Sequence, residues 1–475
     1  MIKNAEEWFR FNDWFLILFL ILVFILVRLP GTDLPLHQDE YKWPMIVNPS
    51  LVSDTEIPHP PLSQFIYKTA GQIVGYDTDF RFVPLFFGAI SLFLLYYLMR
   101  FLFDKKTALI ASLLWIFSYF SVLSSLMVDT DGQILPFFFL LSLISYFKLK
   151  DSKETHKRYV WVLLLVLSTI LGFFIKVSFV LATASILADF LWSKRHYLKK
   201  EDILRYGLRF LLGVFVLVFL LFISQKVFPF FNLSNSLEYW KHFFVLDRGW
   251  FQTAIQCIKA ILYSSPFLIL VPVFYRLRSY SKVMPFVFFL LFSFVFYVVL
   301  LDFSIGALDR YLQLLVLPLT VLTSLVLVEV FSSREVRFKE FLLLGILFSL
   351  ILVILQSVHH YVPPLHPKTE WIGRMLSLRW NFLYPFSGGS GPLGFYVSFL
   401  FIALSWILSF SVLVFSKFKK NYKNLAIVFL IPIGLVYNGV FAEEYMFGYW
   451  NGHAPSLLSE AVVYIKDNPE IKMVT

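Results

Sequence analysis

Thirteen apolar runs, separated by short clusters of lysine and arginine, leave this 475-residue chain few ways to fold. They centre on residues 14–29, 83–99, 108–127, 133–147, 160–175, 177–192, 210–224, 254–274, 284–301, 311–331, 341–356, 394–416 and 425–441. A helix crosses the hydrocarbon core of a bilayer with about 20 apolar residues. The sequence therefore predicts an all-α polytopic membrane protein of about 13 transmembrane helices. Composition agrees: 59% of residues are hydrophobic, 15% are charged and the mean hydropathy is +0.74, so water is not the main solvent. The run from Trp14 to Leu29 has no small-residue cleavage site after it, and reads as the first span rather than a signal peptide. A net charge of +10 would suit nucleic acid, but the basic residues flank the apolar runs, so they report topology and no nucleic-acid partner is expected. Cys257 is the only cysteine, which excludes an intramolecular disulfide.

Sidedness follows from charge. Runs 160–175 and 177–192 are broken only by Lys176, and as one helix they would extend about 50 Å against a core of about 30 Å. Lys148, Lys150, Lys153, Lys157 and Arg158 precede this pair, and Lys194, Arg195, Lys199, Lys200, Arg205 and Arg209 follow it. Two crossings put both clusters in the cytoplasm. With the N-terminus cytoplasmic, the clusters around Lys105, Arg278, Arg337 and Lys419 fall there as well. The expected protein is integral to the plasma membrane. Its outer loops cover about 30–82, 128–132, 225–253, 302–310 and 357–393, with membrane-surface helices in the first. Residues 1–441 form the membrane domain. Residues 442–475 form an extracytoplasmic segment, helical over 457–466 and strand-like over 471–475, that reads as the start of a soluble domain. The Gly-rich stretch from Ser387 to Pro392 reads as a flexible outer loop, and the triplet beginning at Asn232 as a chance sequon.

Charge is scarce in this chain, so acids on the outer side carry information. The first outer loop holds the adjacent pair Asp39 and Glu40, followed by Lys42 and Trp43. Neighbouring carboxylates at a membrane surface repel one another, which raises one pKa and suits a general base. Further on, His59 sits among Pro58, Pro60 and Pro61, which hold the backbone extended before a helix expected from Leu62 to Val74. The second outer loop is a short turn with Asp129 and Asp131. Two basic residues oppose the topology rule: Lys176 at the tip of its hairpin, and Arg310 just before the span that opens at Tyr311. Both could snorkel to lipid phosphates, or hold the phosphate of a lipid-linked substrate.

In this order, the Asp39–Glu40 pair, the segment His59-Pro60-Pro61-Leu62, the acidic second turn, the hairpin tipped by Lys176 and the sequence Arg310-Tyr311-Leu312 resemble the membrane-embedded GT-C glycosyltransferases. The likeness is to the branch of protein O-mannosyltransferases and lipid A aminoarabinose transferases, and it covers residues 1 to about 330 best. The resemblance implies inverting transfer of a sugar from a polyprenyl phosphate donor to a protein, lipid or glycan acceptor on the outer face. It makes Asp39 the base and Glu40 its partner or an acceptor contact. Lys42 and Trp43 stand where relatives often have Arg and Tyr. His59 stands where the aminoarabinose branch has Lys and the mannosyltransferase branch has His, which tells against an aminoarabinose donor. Lys176, Arg310 and Tyr311 become candidates for the donor phosphate. Asp129 and Asp131 could orient the sugar or bind a divalent metal, with no cofactor otherwise implied. A glycan polymerase shares this donor class. A transporter or flippase would instead place charge at the bilayer midplane and show an internal repeat.

Overall fold

The computed structural model describes residues 11–37, 40–49, 59–76, 80–197, 199–228, 231–241, 244, 249–275, 281–301, 311–333, 335–359, 362, 365, 370–384, 396–448 and 454–471. Among these the chain is helical, with no strand beyond one isolated bridge between Leu383 and Ser398. The first half comprises α1 (Phe11–Arg28), α2 (Lys42–Val47), α3 (Leu62–Val74), α4 (Phe82–Leu102), α5 (Lys105–Phe117), α6 (Tyr119–Leu126), α7 (Ile134–Asp151), α8 (Thr155–Ile175), α9 (Val180–Lys194) and α10 (Lys200–Ser224). The second comprises α11 (Leu233–Lys241), α12 (Trp250–Tyr263), α13 (Pro266–Phe274), α14 (Met284–Phe294), α15 (Val316–Ser332), α16 (Phe338–His359), α17 (Trp371–Leu376), α18 (Phe399–Phe418), α19 (Lys423–Phe447) and α20 (Ala454–Asp467).

Among the described residues, ten helices are long and apolar enough to cross a membrane, or twelve if each of two bent pairs is one span, against the thirteen expected. Run 108–127 is α5 and α6, which meet at 65°. Ser118 between them is extended, and the N–H of Tyr119 donates to Asn438 Oδ1 at 3.0 Å instead of continuing the helical ladder. Run 254–274 is α12 and α13, which meet at 102° where Ser264 and Ser265 are extended ahead of Pro266. Run 133–147 lies in α7, whose last turn carries Lys148, Lys150 and Asp151 and so shortens the apolar stretch. The helix expected from Leu62 to Val74 is α3. It buries Ser63, Gln64, Tyr67 and Gly71 and exposes Phe65, Ile73 and Val74. Helix α20 contains the expected helix 457–466, while residues 472–475 of the strand-like tail lie outside the described residues. So does the stretch from Ser387 to Pro392.

Burial sorts the bundle into centre and rim. The apolar windows of α19 and α15 are 72% and 67% buried, against 22% for α8 and for α16 and 11% for the one in α10. On α10, Leu211, Leu212, Phe215 and Phe219 face outward, as suits a helix solvated by lipid. Gly345 of α16 lies against the Phe429 carbonyl of α19, so any side chain there would separate the two helices.

Helix α8 ends at Ile175, and Lys176 is extended before the chain turns into α9. Ser142 of α7 donates to Ser168 of α8 at 2.8 Å, and Lys150 donates to Ser193 of α9 at 2.9 Å. The end of α7, the start of α8 and the end of α9 thus meet at one end of the bundle, with Lys176 at the other. Single cysteines at Lys153 and Lys199 in a Cys257→Ser background should accordingly react with an impermeant maleimide from the same side of the membrane. Labelling of one from outside and of the other only after permeabilisation would refute the hairpin.

Candidate active site

Arg81 closes the loop between α1 and α4. It sits just before α4, fully buried, and uses every N–H of its guanidinium. Nε donates to the Leu34 carbonyl at 2.8 Å and Nη2 to the Pro35 carbonyl at 2.6 Å, both in the loop after α1. Nη1 donates to the Leu126 carbonyl at the end of α6 at 2.5 Å. The remaining donors form a two-pronged pair with Glu40, at 3.1 Å to Oε1 and 3.0 Å to Oε2.

Glu40 is equally committed. Its Oε2 also accepts from the His37 backbone N–H at 2.7 Å and lies 3.0 Å from His37 Nδ1, while Oε1 accepts from the Val128 N–H at 2.7 Å. Burial alone would push this carboxyl up, but Arg81 and His37 together outweigh it and hold it at about 2. Glu40 is therefore an anion at neutral pH whose lone pairs are occupied, and it joins the first loop to the second outer turn.

That turn is compact. A Cβ at Gly132 would lie 2.9 Å from the Met127 carbonyl and 3.0 Å from that of Ser124, so the turn closes only around glycine. Asp129 is buried and accepts from the Thr130 N–H at 2.6 Å. Asp131 pairs with Lys176, which is 2% exposed. The Lys176 ammonium also lies 4.4 Å from the centre of the Tyr311 ring, and Gln313 Nε2 approaches Met127 Sδ at 3.9 Å, so the segment leading into α15 meets the turn. Tyr67 of α3 donates to the Asp129 carbonyl at 3.4 Å and packs against Trp43 at 4.8 Å between ring centres. Burial, with Asp129 and Glu40 nearby, pushes its phenol well up, which keeps it a neutral donor.

The structure thus gathers Glu40, Asp129, Asp131, Lys176 and Tyr311 at one end of the bundle. Lys42 opens α2 half-buried, and His59 is buried ahead of α3. Asp39 and Arg310 lie outside the described residues. Among the described residues no three His, Cys, Asp or Glu side chains could hold a metal ion. Sequence reasoning missed Arg81, and missed Arg28, which is buried at the end of α1 and donates to Ser121 and Ser125 of α6 at 3.0 and 2.5 Å. It also missed Tyr445 of α19, whose ring lies 6.2 Å from that of His37.

Residues 58–223 match the family model of dolichyl-phosphate-mannose-protein mannosyltransferases. The crystal structure of ArnT from Cupriavidus metallidurans bound to undecaprenyl phosphate is similar over 97% of this chain and 81% of that one, at 11% identity and a TM-score of 0.59. Its apo state is similar over 98% and 83%, at 12% identity and a TM-score of 0.60. The apo oligosaccharyltransferase of Archaeoglobus fulgidus is similar over 95% and 57%, at 12% identity and a TM-score of 0.50. No curated protein matches the chain in sequence. At these identities the structural likeness speaks to the fold, which is that of the GT-C membrane glycosyltransferases.

The buried Arg81–Glu40 pair should dominate the stability of this end of the molecule. Glu40→Ala leaves a buried guanidinium without its counter-charge and should cost about 3–5 kcal/mol in unfolding experiments in detergent, more than Glu40→Gln. Because Glu40 is held below its ordinary value of 4.5, its contribution is complete above that pH and is lost as pH falls from there towards about 2. Wild type should lose stability over that interval more steeply than Glu40→Gln, and parallel curves would show that the pair contributes nothing.

Proposed function

We propose that the protein is an inverting glycosyltransferase that moves a sugar from a polyprenyl phosphate to a nucleophile on the extracytoplasmic face of the plasma membrane. The match to a dolichyl-phosphate-mannose-dependent family and the likeness to a protein solved with undecaprenyl phosphate support a lipid-linked sugar donor and a transferase. One observation carries the reading for this chain's own residues. Glu40, next to Asp39, bonds the second outer turn at Val128, and Asp131 of the same turn holds Lys176. The segment that bears the base and a cation suited to phosphate are thereby tied to one five-residue turn.

In the proposed reaction Asp39 takes the proton of the acceptor nucleophile as it attacks the anomeric carbon from the face opposite the lipid phosphate. The new glycosidic bond forms, the bond to the phosphate oxygen breaks, and the polyprenyl phosphate leaves with the electron pair. A phosphate leaves without a general acid when cations hold it. Lys176 has N–H groups beyond the one facing Asp131, and Arg310 is adjacent in sequence to Tyr311, which Lys176 overlies. Glu40 acts as a positioning residue: fixed in charge by Arg81, it holds in place the loop that carries Asp39. Lys42 and His59 are assigned to the sugar or acceptor, and Asp129 to orienting the turn. The N-terminus is cytoplasmic in this scheme, and the acceptor is a protein, lipid or glycan.

Asp39→Asn preserves size and hydrogen bonding but removes the base. Transfer from a purified polyprenyl phosphate sugar should fall by ~10²–10⁴, with donor binding and unfolding temperature nearly unchanged. Wild-type turnover in this variant would sink the assignment.

Lys176→Gln and Arg310→Gln should each weaken donor binding by roughly 1.5–3 kcal/mol, measured by titration with the lipid phosphate, while membrane insertion is retained. Unchanged affinity in both variants would leave these cations as contacts within the protein or to bulk lipid.

A further inference from the structure

The end of the bundle remote from Lys176 holds a cavity of about 620 Å³ between the end of α7, the start of α8 and the end of α9. Three cations line it, one from each helix: Lys150, Arg158 and Lys194. Lys150 is held in place, donating to Ser193 Oγ at 2.9 Å and to Asp189 Oδ2 at 3.3 Å. The same Asp189 oxygen accepts from the Tyr146 hydroxyl at 2.6 Å, which fixes the carboxylate beneath the ammonium. Among the described residues Arg158 and Lys194 have no carboxylate partner, so the three cations and Asp189 leave a net positive site. Thr155 and Ser193 add hydroxyls, while Val162 and Phe190 form an apolar wall on the side that continues along α8 and α9.

We propose that this cavity binds the phosphoryl headgroup of an anionic phospholipid, with the upper part of an acyl chain along the wall of Val162 and Phe190. Lysines that merely flank a span spread over a convex surface and meet bulk headgroups. Here cations from three helices converge on a concavity, one of them held by the buried Asp189, and an apolar strip adjoins them. A soluble anion would use the cations and hydroxyls but leave that strip idle. The lipid joins the three helices whose opposite ends carry Asp131 and Lys176, so its binding braces the framework of the active site. By the topology proposed above the lipid comes from the cytoplasmic leaflet, and only that assignment rests on it; the site and its ligand class do not.

The test is native mass spectrometry of the full-length detergent-solubilised protein titrated with phosphatidylglycerol or phosphatidylcholine, together with thermal unfolding under the same conditions. Phosphatidylglycerol should be retained and phosphatidylcholine lost, and the anionic lipid alone should raise the unfolding temperature. K150Q/R158Q/K194Q should bind phosphatidylglycerol on the order of 100-fold more weakly, about fivefold per cation, and lose the thermal shift. The charge-preserving K150R/K194R should keep both, which separates lost charge from lost fold. Inorganic phosphate should not displace the lipid. Equal retention of the two lipids, or undiminished binding in the triple variant, would overturn the proposal, and displacement by phosphate would replace the lipid with a soluble anion. Because the readout is binding rather than transfer, failure of the glycosyltransferase reading would leave these results as they stand.

Discussion

The pair of Arg81 and Glu40 organises everything near the candidate active site. Taking two charges out of water costs several kcal/mol for each, and their mutual attraction offsets this only where the remaining hydrogen-bonding capacity is filled. Here it is filled on both sides: Arg81 donates to Leu34, Pro35, Leu126 and Glu40, and Glu40 accepts from Arg81, His37 and Val128. Because those partners belong to the first loop, the start of α4, the end of α6 and the second outer turn, these elements reach their positions together. A first loop placed elsewhere would strand both charges in an apolar setting.

A second buried pair does for the periphery what the first does for the loop. Lys176 closes the α8–α9 hairpin, and through Asp131 and the Tyr311 ring it joins that hairpin to the second turn and to the segment entering α15. The two pairs share the short turn between Val128 and Gly132, whose close approach of carbonyls excludes any residue with a Cβ at its end. Site geometry therefore depends on a few long-range polar contacts laid over an apolar bundle.

Much of this was legible in sequence because apolar length and basic flanks are local signals. The break at Lys176, the start of α3 at Leu62 and the meeting of basic residues from the two flanking clusters at the end remote from Lys176 are all seen in the structure. The bends were not legible: Ser118 is extended because Asn438, more than 300 positions along the chain, accepts the N–H of Tyr119. Glu40 was read as half of a repelling pair of carboxylates, since its partners at 81 and 128 are distant in sequence. The criterion that selected Lys176, a cation on the side where topology disfavours one, applies equally to Arg81 and Arg28, and applied uniformly it would have found both. Asp39 and Arg310, on which the chemistry leans most, lie outside the described residues, so their roles rest on sequence and resemblance.

Helix α6 has a further consequence. All eight of its residues are buried, and its hydroxyls at Ser121 and Ser125 hold Arg28 while its final carbonyl holds Arg81. The element from which the site hangs therefore has no lipid-facing surface of its own. Exposure to lipid falls instead on rim helices such as α10 and α16, whose apolar windows are mostly exposed. The anchors of Arg28 and Arg81 are thus reached by the surrounding lipid only through the helices packed around α6.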